Sequence, residues 1–190
     1  MKNIFIHRSS YIDENVDIGS DSKIWHFCHF LNGTKVGTNC SFGQNCVVGP
    51  NVKIGNYVKV QNNVSLFEGV ECEDNVFIGP SVVFTNVINP RSHIKRKKEF
   101  KKTILKKGST IGANSTIICG VIIGEYSFIG GGSVVTKDTK PFGLYYGVPA
   151  KQKGWVSISG NKLSFDKKGK AIDRYENKVY NLINGKIQIS

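Results

Sequence analysis

The sequence predicts an all-β fold in which the chain winds into a triangular parallel β-helix. The first observation is that every sixth residue from Ile6 to Phe84 is apolar, although only 39% of the 190 residues are hydrophobic. The second is that glycine often follows this apolar position, as in Ile18-Gly19 and Ile78-Gly79. A period of six fits neither an amphipathic helix nor an alternating strand, so the repeat indicates an architecture of its own.

Each six-residue unit predicts a short strand followed by a tight corner. A small or β-branched residue stands four positions after the apolar one, as at Ser22, Cys40 and Val64. A large inward side chain, a permissive glycine and a small inward side chain suit a strand that turns sharply. Three such strands make one triangular coil, and successive coils hydrogen-bond to each other at about 4.8 Å.

The six-residue period is interrupted once, at residues 85–104, which predicts a loop protruding from one corner of the helix. The period resumes at Leu105 and continues to Val135, shifted by three positions, so that both blocks supply about twenty units or somewhat under seven coils. A long loop inside a compact domain is often functional. Eight basic residues lie in or directly after this loop, against the single acidic Glu99: Lys95, Arg96, Lys97, Lys98, Lys101, Lys102, Lys106 and Lys107.

The repeat is expected to end at Pro141, because proline cannot continue a hydrogen-bonded ladder. Residues 1–150 are therefore assigned to the β-helix, and residues 151–190 to a short C-terminal β appendage. Two hairpins are predicted in this appendage, one turning at Ser159-Gly160-Asn161 and one at Asn184-Gly185. The appendage would cover an end of the coil stack that would otherwise be an open sheet edge.

The composition indicates anionic partners and an intracellular setting. Lys and Arg total 26 against 14 Asp and Glu, giving a net charge of +12. The N-terminus lacks a signal-peptide-like apolar run and no stretch approaches a membrane span, so a cytoplasmic protein is expected. Five cysteines show no zinc or disulfide spacing. Four occupy inward positions, where a reduced thiol acts as a small hydrophobe, and Cys119 lies outside both inward positions and is open to exposure.

Several runs outside the repeat pattern carry a specific resemblance. They are residues 24–29 (IWHFCH), 61–65 (QNNVS), 68–70 (EGV), 76–86 (VFIGPSVVFTN), 89–92 (NPRS), 111–114 (IGAN) and 154–155 (GW). Together with the repeats they resemble the hexapeptide-repeat sugar 3-N-acetyltransferases. Those enzymes acetylate the 3-amine of nucleotide-linked sugars such as UDP-2-acetamido-3-amino-2,3-dideoxyglucuronate and dTDP-3-amino-3,6-dideoxyhexoses. The most selective run is Phe84-Thr85-Asn86 with Pro90-Arg91.

The resemblance implies a left-handed parallel β-helix, a homotrimer and acetyl-CoA as acyl donor, with no metal. Acetyl-CoA would lie between two adjacent prisms, and the nucleotide-linked 3-amino sugar would meet its thioester beneath the loop. The product would serve surface polysaccharide synthesis. The implied cofactor-binding residues include two lysines that would approach the phosphates of CoA. The full set is Gly112, Ala113, Gly130, Lys137 and Lys151.

The resemblance also implies roles at the reacting centre. Asn86 would orient the sugar amine, and the proton would leave by way of the departing sulfur without a side-chain base. His93 in the loop is the alternative base. Substrate-binding residues are expected at positions that combine amide, carboxylate and guanidinium groups, the last of which match phosphate geometry: Gln61, Asn63, Glu68, Arg91 and Arg96.

Two other functions stay open on the sequence. One is O-acetylation of a related sugar. The other is a basic β-solenoid that binds nucleic acid without catalysis, although this would want a continuous basic stripe with interleaved aromatic residues, and here the basic residues cluster in the loop and the tail. A γ-type carbonic anhydrase is disfavoured, because the repeats lack a spaced set of three histidines for zinc.

Overall fold

The computed structural model describes residues 3–190, and its main body is a triangular prism of three parallel sheets. Most strands have two residues, of which the first faces outward and the second is buried. Most coils pair with the next at a register of 18 residues, so that Lys59 lies opposite Phe77, and pairs that span the loop are 33 residues apart, as for Phe77 and Thr110. The predicted three-sided coil of six-residue units is confirmed.

The three faces are named sheets A, B and C. Among the described residues, sheet A contains β1 (Phe5–Ile6), β4 (Lys23–Ile24), β7 (Ser41–Phe42), β10 (Lys59–Val60), β13 (Phe77–Ile78), β16 (Thr110–Ile111), β19 (Phe128–Ile129), β21 (Gly143–Tyr146) and β22 (Lys151–Trp155). Sheet B contains β2 (Tyr11–Ile12), β5 (His29–Phe30), β8 (Val47–Val48), β11 (Ser65–Leu66), β14 (Val83–Phe84), β17 (Thr116–Ile117) and β20 (Val134–Val135). Sheet C contains β3 (Asp17–Ile18), β6 (Lys35–Val36), β9 (Lys53–Ile54), β12 (Val70–Cys72), β15 (Thr103–Leu105) and β18 (Ile122–Ile123).

Three edges join these faces. Coils are numbered from the N-terminus, so that coil 1 begins at β1 and coil 5 at β13. Edge AB consists of the corners at 7–10, 25–28, 43–46, 61–64, 79–82, 112–115 and 130–133. Edge BC consists of the corners at 13–16, 31–34, 49–52, 67–69, 118–121 and 136–139, together with the loop at 85–102 in coil 5. Edge CA holds the remaining corners.

The core is a set of side-chain columns that run along the prism axis. In sheet A the second strand residues of coils 2–7 are all 1% exposed or less, and Ile24, Phe42 and Val60 begin this column. The small inward residues are equally buried, and several of their hydroxyls bond to the neighbouring coil, as from Thr34 Oγ1 to the Gly49 carbonyl at 2.8 Å. Ile6 is half-exposed because coil 1 has a neighbouring coil on one side only.

One residue of each corner adopts the left-handed backbone conformation, and asparagine usually occupies this position. Seven asparagines have φ between 55° and 61° there: Asn15, Asn39, Asn45, Asn51, Asn63, Asn75 and Asn114. Asparagine and glycine tolerate this conformation better than other residues do. Phe27 and Tyr57 occupy the same position with φ of 57° although their side chains are bulky and exposed.

The C-terminal region folds as a three-stranded antiparallel sheet of β23 (Lys170–Asp173), β24 (Lys178–Ile183) and β25 (Lys186–Ile189). The hairpin predicted at Asn184-Gly185 is confirmed, with positive φ at both residues. At residues 159–161 only a tight turn with the isolated bridge Val156↔Lys162 is present. The sheet packs on the end of the prism through Tyr180, which is fully buried and lies 6.3 Å from Phe142 between ring centroids.

Two expectations about the end of the repeat and about Cys119 are wrong. Strand β21 follows Pro141 and pairs in parallel with β19, so sheet A continues one strand further before β22 turns back antiparallel. Proline is tolerated because it stands in the corner between two strands, where no ladder bond is needed. Cys119 is 3% exposed, because its corner lies beneath the base of the loop and its backbone N–H donates to Thr85 Oγ1.

Candidate active site

The loop of edge BC begins at a firmly anchored pair of residues, Thr85 and Asn86. Thr85 donates its backbone N–H to the Ile117 carbonyl at 3.1 Å, and its Oγ1 accepts the N–H of Cys119 at 2.9 Å. The Asn86 carbonyl accepts the N–H of Lys101 at 2.9 Å, which ties the two ends of the loop together. No hydrogen bond involves the Asn86 side-chain amide within residues 3–190, so a half-buried amide on a fixed backbone is available to a ligand.

The coil beneath the loop brings Glu68 to the same edge. Its neighbour Gly69 accepts the N–H of Thr103 at 2.9 Å, where the chain re-enters sheet C. Glu68 is half-buried, and in the described part of the chain its carboxylate has no ion-pair partner. The structure therefore brings Glu68 and Asn86 to adjacent coils of one edge, as an acid–amide pair facing a substrate would require.

The loop encloses a cleft of about 420 Å³ lined by Val87, Ile88, Asn89, Glu99 and Lys101. Its only regular element is one turn of 3-10 helix at Lys97–Glu99. The volume lies in the range of small-molecule sites, roughly 300–1,000 Å³. The loop therefore has a defined fold and forms one side of the cleft.

The two predicted arginines of the loop differ in their freedom. Arg96 Nη1 donates to both carboxylate oxygens of Glu99, at 2.8 and 2.9 Å, while its Nε is buried without a partner in the described chain. Arg91 is exposed and Nη1 donates to the Pro90 carbonyl at 3.0 Å. His93 is exposed beside them. The Arg91 side chain is free to turn toward a bound phosphate. Arg96 must either break its ion pair with Glu99 or bind the phosphate while it keeps that pair.

Edge AB holds the other predicted substrate and cofactor residues. Gln61 is half-buried, and Asn63 takes the left-handed corner position while its Oδ1 accepts from Asn45 Nδ2 at 3.1 Å. The N–H groups of Gly112 and Gly130 donate to the next coil, at 2.8 and 2.7 Å.

Close coil packing explains these two glycines at least in part. A Cβ on Gly112 would lie 2.5 Å from the Gly131 nitrogen, and one on Gly130 would lie 3.0 Å from Tyr146 Cβ. Ala113 accepts the N–H of Gly132 at 2.8 Å. Edge AB is therefore a smooth, backbone-lined groove at coils 6 and 7, onto which an extended chain can lie.

The two predicted phosphate-binding lysines lie on different parts of the prism. Lys137 is exposed on edge BC in coil 7, and Lys151 begins β22 beyond the cis Val148–Pro149 bond at the C-terminal end. In one copy of the chain, therefore, Glu68, Asn86, Arg91, Arg96 and Lys137 share edge BC. Edge AB holds Gln61, Asn63, Gly112, Ala113 and Gly130, and the width of sheet B separates the two groups.

Sequence reasoning did not assign the cleft that lies on edge AB at coils 2–4. It measures about 310 Å³, and its lining includes Trp25, His26, Gln44 and Gln61. The run containing Trp25 contributes to the family resemblance only, because aromatic residues on a regular coil do not indicate a site by themselves. Within residues 3–190, no group of three or more His, Cys, Asp or Glu side chains is placed to hold a metal. The same residues include no helix with the length and hydropathy of a membrane span.

Comparisons with known proteins agree with this geometry. The bacterial transferase hexapeptide family, described by six repeats, matches residues 15–50, 33–67 and 102–137. The chain is 45% identical over 161 residues to the dTDP-3-amino-3,6-dideoxy-α-D-galactopyranose 3-N-acetyltransferase of Aneurinibacillus thermoaerophilus. That match covers 85% of this chain and 83% of the relative, so both proteins share most of their length.

Two solved structures share the fold at lower identity. One is a mutant of AntD, an N-acyltransferase from Bacillus cereus in complex with dTDP and coenzyme A, with a TM-score of 0.52, 22% identity and 81% of each chain covered. The other is the acetyltransferase domain of PglB from Neisseria gonorrhoeae in complex with acetyl coenzyme A. Its TM-score is 0.54 at 17% identity, covering 78% of this chain and 57% of that one. The parallel β-helix is accordingly the left-handed one of the hexapeptide fold.

Proposed function

Because the chain belongs to the hexapeptide-repeat family of sugar N-acetyltransferases, we propose that it acetylates the 3-amino group of a UDP- or dTDP-linked sugar with acetyl-CoA. The observation that carries this proposal is the Asn86 amide, which is unpaired in the described chain on a doubly anchored backbone, directly before Val87, the first residue that lines the loop cleft. The relative at 45% identity acts on a dTDP-linked 3-amino sugar, which supports the same substrate class here.

The chemistry needs positioning more than activation. The neutral amine nitrogen forms a bond to the acetyl carbon, the carbon–sulfur bond breaks, and the departing thiolate takes the proton of the new ammonium. Asn86 is uncharged, so it can orient the amine as a hydrogen-bond partner without acting as a base. Alignment of the two reactants supplies several kcal/mol of a barrier such as this. Glu68 and Arg91 bind the sugar and the diphosphate from the same edge, and Arg96 is placed to join them.

The donor is proposed to lie along edge AB. The backbone groove at Gly112, Ala113 and Gly130 suits an extended pantetheine arm, because two glycines and an alanine place little side-chain bulk on this edge. Lys151, at the C-terminal end of the same edge, and Lys137 on edge BC supply positive charge for phosphates. The residues on this edge are compatible with a bound CoA, since the groove carries little side-chain bulk and both lysines are exposed.

A homotrimer would bring the two edges together. The outward residues of sheet B include no Lys, Arg, Asp or Glu in the described chain: Tyr11, His29, Val47, Ser65, Val83, Thr116 and Val134. Sheets A and C, in contrast, carry charged outward residues: Lys23, Lys59, Asp17, Lys35, Lys53 and Glu71. If sheet B of each copy faces a three-fold axis, edge AB of one copy lies beside edge BC of the next. The active site would then form between copies in a cytoplasmic enzyme of surface polysaccharide synthesis.

The test is a transfer assay with the full chain, acetyl-CoA and UDP- or dTDP-linked 3-amino sugars. We expect thiol release together with a product whose mass increases by one acetyl group at nitrogen. A galactoside without an amine should not be acetylated, which separates this function from O-acetylation. Thermal stabilisation by an oligonucleotide but not by CoA, without any transfer, would instead support a nucleic-acid-binding solenoid.

A further inference from the structure

Edge AB carries an exposed aromatic cluster in its first two coils. Trp25 packs against Phe5 with ring centroids 5.3 Å apart, and His7 stacks on His26 at 3.5 Å. Trp25 is 42% exposed and Phe27 is 64% exposed. The rings of Trp25 and His26 are parallel within 7°. Aromatic rings that pack against each other in this way are usually buried, whereas Trp25 and Phe27 remain largely open to solvent.

The backbone at Phe27 indicates that this exposure is not incidental. Phe27 has φ of 57°, a conformation that is unfavourable for a bulky L-residue. At the same corner position, the later coils of edge AB use smaller residues: Asn45, Asn63, Ser81, Asn114 and Gly132. A residue that accepts backbone strain while exposing its ring contributes little to the core, and strained positions of this kind are concentrated at ligand sites.

Next to these rings lies the cleft of about 310 Å³ in coils 2–4, whose polar lining is made of the His26 imidazole, three side-chain amides and a hydroxyl. Gln44 and Gln61 have side-chain amides without hydrogen-bond partners in the described chain. Asn62 Oδ1 accepts the Gln44 N–H at 3.0 Å, which leaves its Nδ2 group free as a donor. The residues that line the cleft carry no Lys, Arg, Asp or Glu. An uncharged cleft of this kind suits a neutral, planar, hydrogen-bonding ring rather than a phosphate.

We propose that this cleft is the nucleobase subsite, in which Trp25 stacks on the pyrimidine of the nucleotide-linked sugar. Amides present a donor and an acceptor side by side, which complements the imide edge of uracil or thymine. Stacking of a base on an aromatic side chain is a general source of nucleotide affinity. The inference rests on the proposed function, which supplies the nucleotide, while the aromatic and amide lining supplies the subsite.

The position of the cleft along the prism is consistent with this role. It occupies coils 2–4, and the loop bearing Asn86 emerges at coil 5 of the other edge, so along the prism axis the cleft ends about one coil spacing of 4.8 Å before the level of the loop. In the proposed trimer, edge AB of one copy adjoins edge BC of its neighbour. The base would lie on the N-terminal side of the groove, and the diphosphate would lead to the sugar beneath the neighbour's loop.

The sharpest test uses fluorescence, because the chain has two tryptophans, Trp25 and Trp155. In a Trp155→Phe chain the emission reports Trp25 alone. We expect UDP and dTDP to quench this emission in a saturable way, whereas inorganic pyrophosphate and ribose 5-phosphate leave it unchanged. Emission that ignores UDP and dTDP but changes when the oligomer dissociates on dilution would assign Trp25 to a subunit contact and overturn the subsite.

Affinity measurements give a second, independent readout. Trp25→Ala should raise the calorimetric Kd for UDP or dTDP by at least about tenfold, and Trp25→Phe should retain most of the affinity. Tyr57→Ala is the control, because Tyr57 is an exposed aromatic residue on edge CA and does not line the cleft. If Trp25→Ala does not fold, the titration of Trp25→Phe and the quenching experiment still test whether Trp25 contacts the base.

The two proposals fail in different ways. Absence of acetyl transfer to any nucleotide-linked amino sugar would overturn the proposed function. Transfer that proceeds with an unchanged KM for the nucleotide sugar in Trp25→Ala would leave the function intact and remove the subsite.

Discussion

Asn86 combines a fixed backbone with a free side chain, and this combination leads to the first prediction. Asn86→Ala should lower kcat by on the order of 10²-fold or more, because the amine loses its alignment to the thioester. His93→Ala should change kcat by less than about tenfold and leave the pH–rate profile unchanged, because no side-chain base is needed. Steady-state thiol release measures both.

Gln188→Ala is the control for Asn86, since it removes an exposed side-chain amide from the C-terminal sheet, away from the loop. Its kcat should stay close to that of the unmodified chain. An inactive His93 variant beside an active Asn86 variant would restore a histidine mechanism.

Asp173 in the C-terminal sheet gives a prediction about pH. Hydrogen bonds from Ser157 and then Ser159 hold the pKa of this 4% exposed carboxyl well below its ordinary value of 3.8. A depressed pKa in the folded state means that unfolding takes up a proton in acid. The stabilisation by Asp173 is therefore complete above pH 3.8 and is lost as the pH falls toward the folded value.

The measurement is thermal unfolding of Asp173→Asn followed by near-ultraviolet circular dichroism between pH 7 and pH 3. We expect a lower Tm than the unmodified chain at pH 7 and a Tm difference that stays constant down to about pH 3.8 and begins to shrink below it. Glu125→Gln, at an exposed position, should follow the unmodified chain throughout. A constant offset at every pH would mean that Asp173 acts through its shape rather than its charge.

At the scale of the coil, glycines in the corners serve two separate purposes. A Cβ on Gly37 would lie 2.5 Å from the Gly55 carbonyl oxygen, so this glycine permits close approach of two coils. Gly132 has φ of 68°, and a Cβ added there would meet no atom within 4 Å, so its role is conformational.

We expect Gly37→Ala to lower the free energy of unfolding by about 3 kcal/mol or more, since backbone must move to admit the methyl group. Gly132→Ala should cost only about 1–2 kcal/mol, which is the penalty of a left-handed L-residue. Urea denaturation of both variants measures the difference. The reverse order would contradict the close-approach role of Gly37.

The coil elements could be predicted almost completely, and the site only in part. A period of six determines where each strand lies, which sheet it joins and which side chains enter the core. A shift of the pattern by one residue would turn every apolar side chain outward. The base of the loop was also predictable, since Phe84 is the last residue in register. β23 was not predicted, because Lys170–Asp173 has no strong turn signal and gains its pairing from β24. The burial of Cys119 was missed because it depends on a hydrogen bond across coils to Thr85.

At the scale of the whole molecule, sequence spacing could not show which predicted residues share a site. Gln61 and Glu68 are only seven positions apart, yet they lie on different edges of the prism. Asn86 and Lys137 are far apart in sequence but share edge BC. The proposed three-fold assembly resolves this separation, because it pairs edge AB of one copy with edge BC of the next.

The uncharged face of sheet B predicts where this assembly can be broken. Val47 is 37% exposed at the first position of β8, and Val47→Arg would bury an unpaired charge in the interface. We expect light scattering to report a mass near the 21.0 kDa of one chain, instead of about three times that mass. Ile122→Arg is the control, since Ile122 has a similar exposure in sheet C. Dissociation by Ile122→Arg alone would place sheet C, not sheet B, at the interface.

A mixing experiment tests whether each active site is shared between copies. Ala113→Arg should block the donor groove of edge AB, and Asn86→Ala should disable edge BC, so each homotrimer should have little activity. In mixed trimers, an Asn86→Ala copy supplies an intact edge AB to the intact edge BC of an Ala113→Arg neighbour. In every mixed trimer about one of the three sites should be restored, because only one of its three junctions joins an intact edge AB to an intact edge BC. Co-expression with two affinity tags isolates the mixed trimers for the thiol-release assay.

A control pairing of Ala113→Arg with the double variant should stay inactive, because no intact edge AB is present. Activity no higher than that of the separate variants would place both edges of a site in one copy and contradict the shared arrangement.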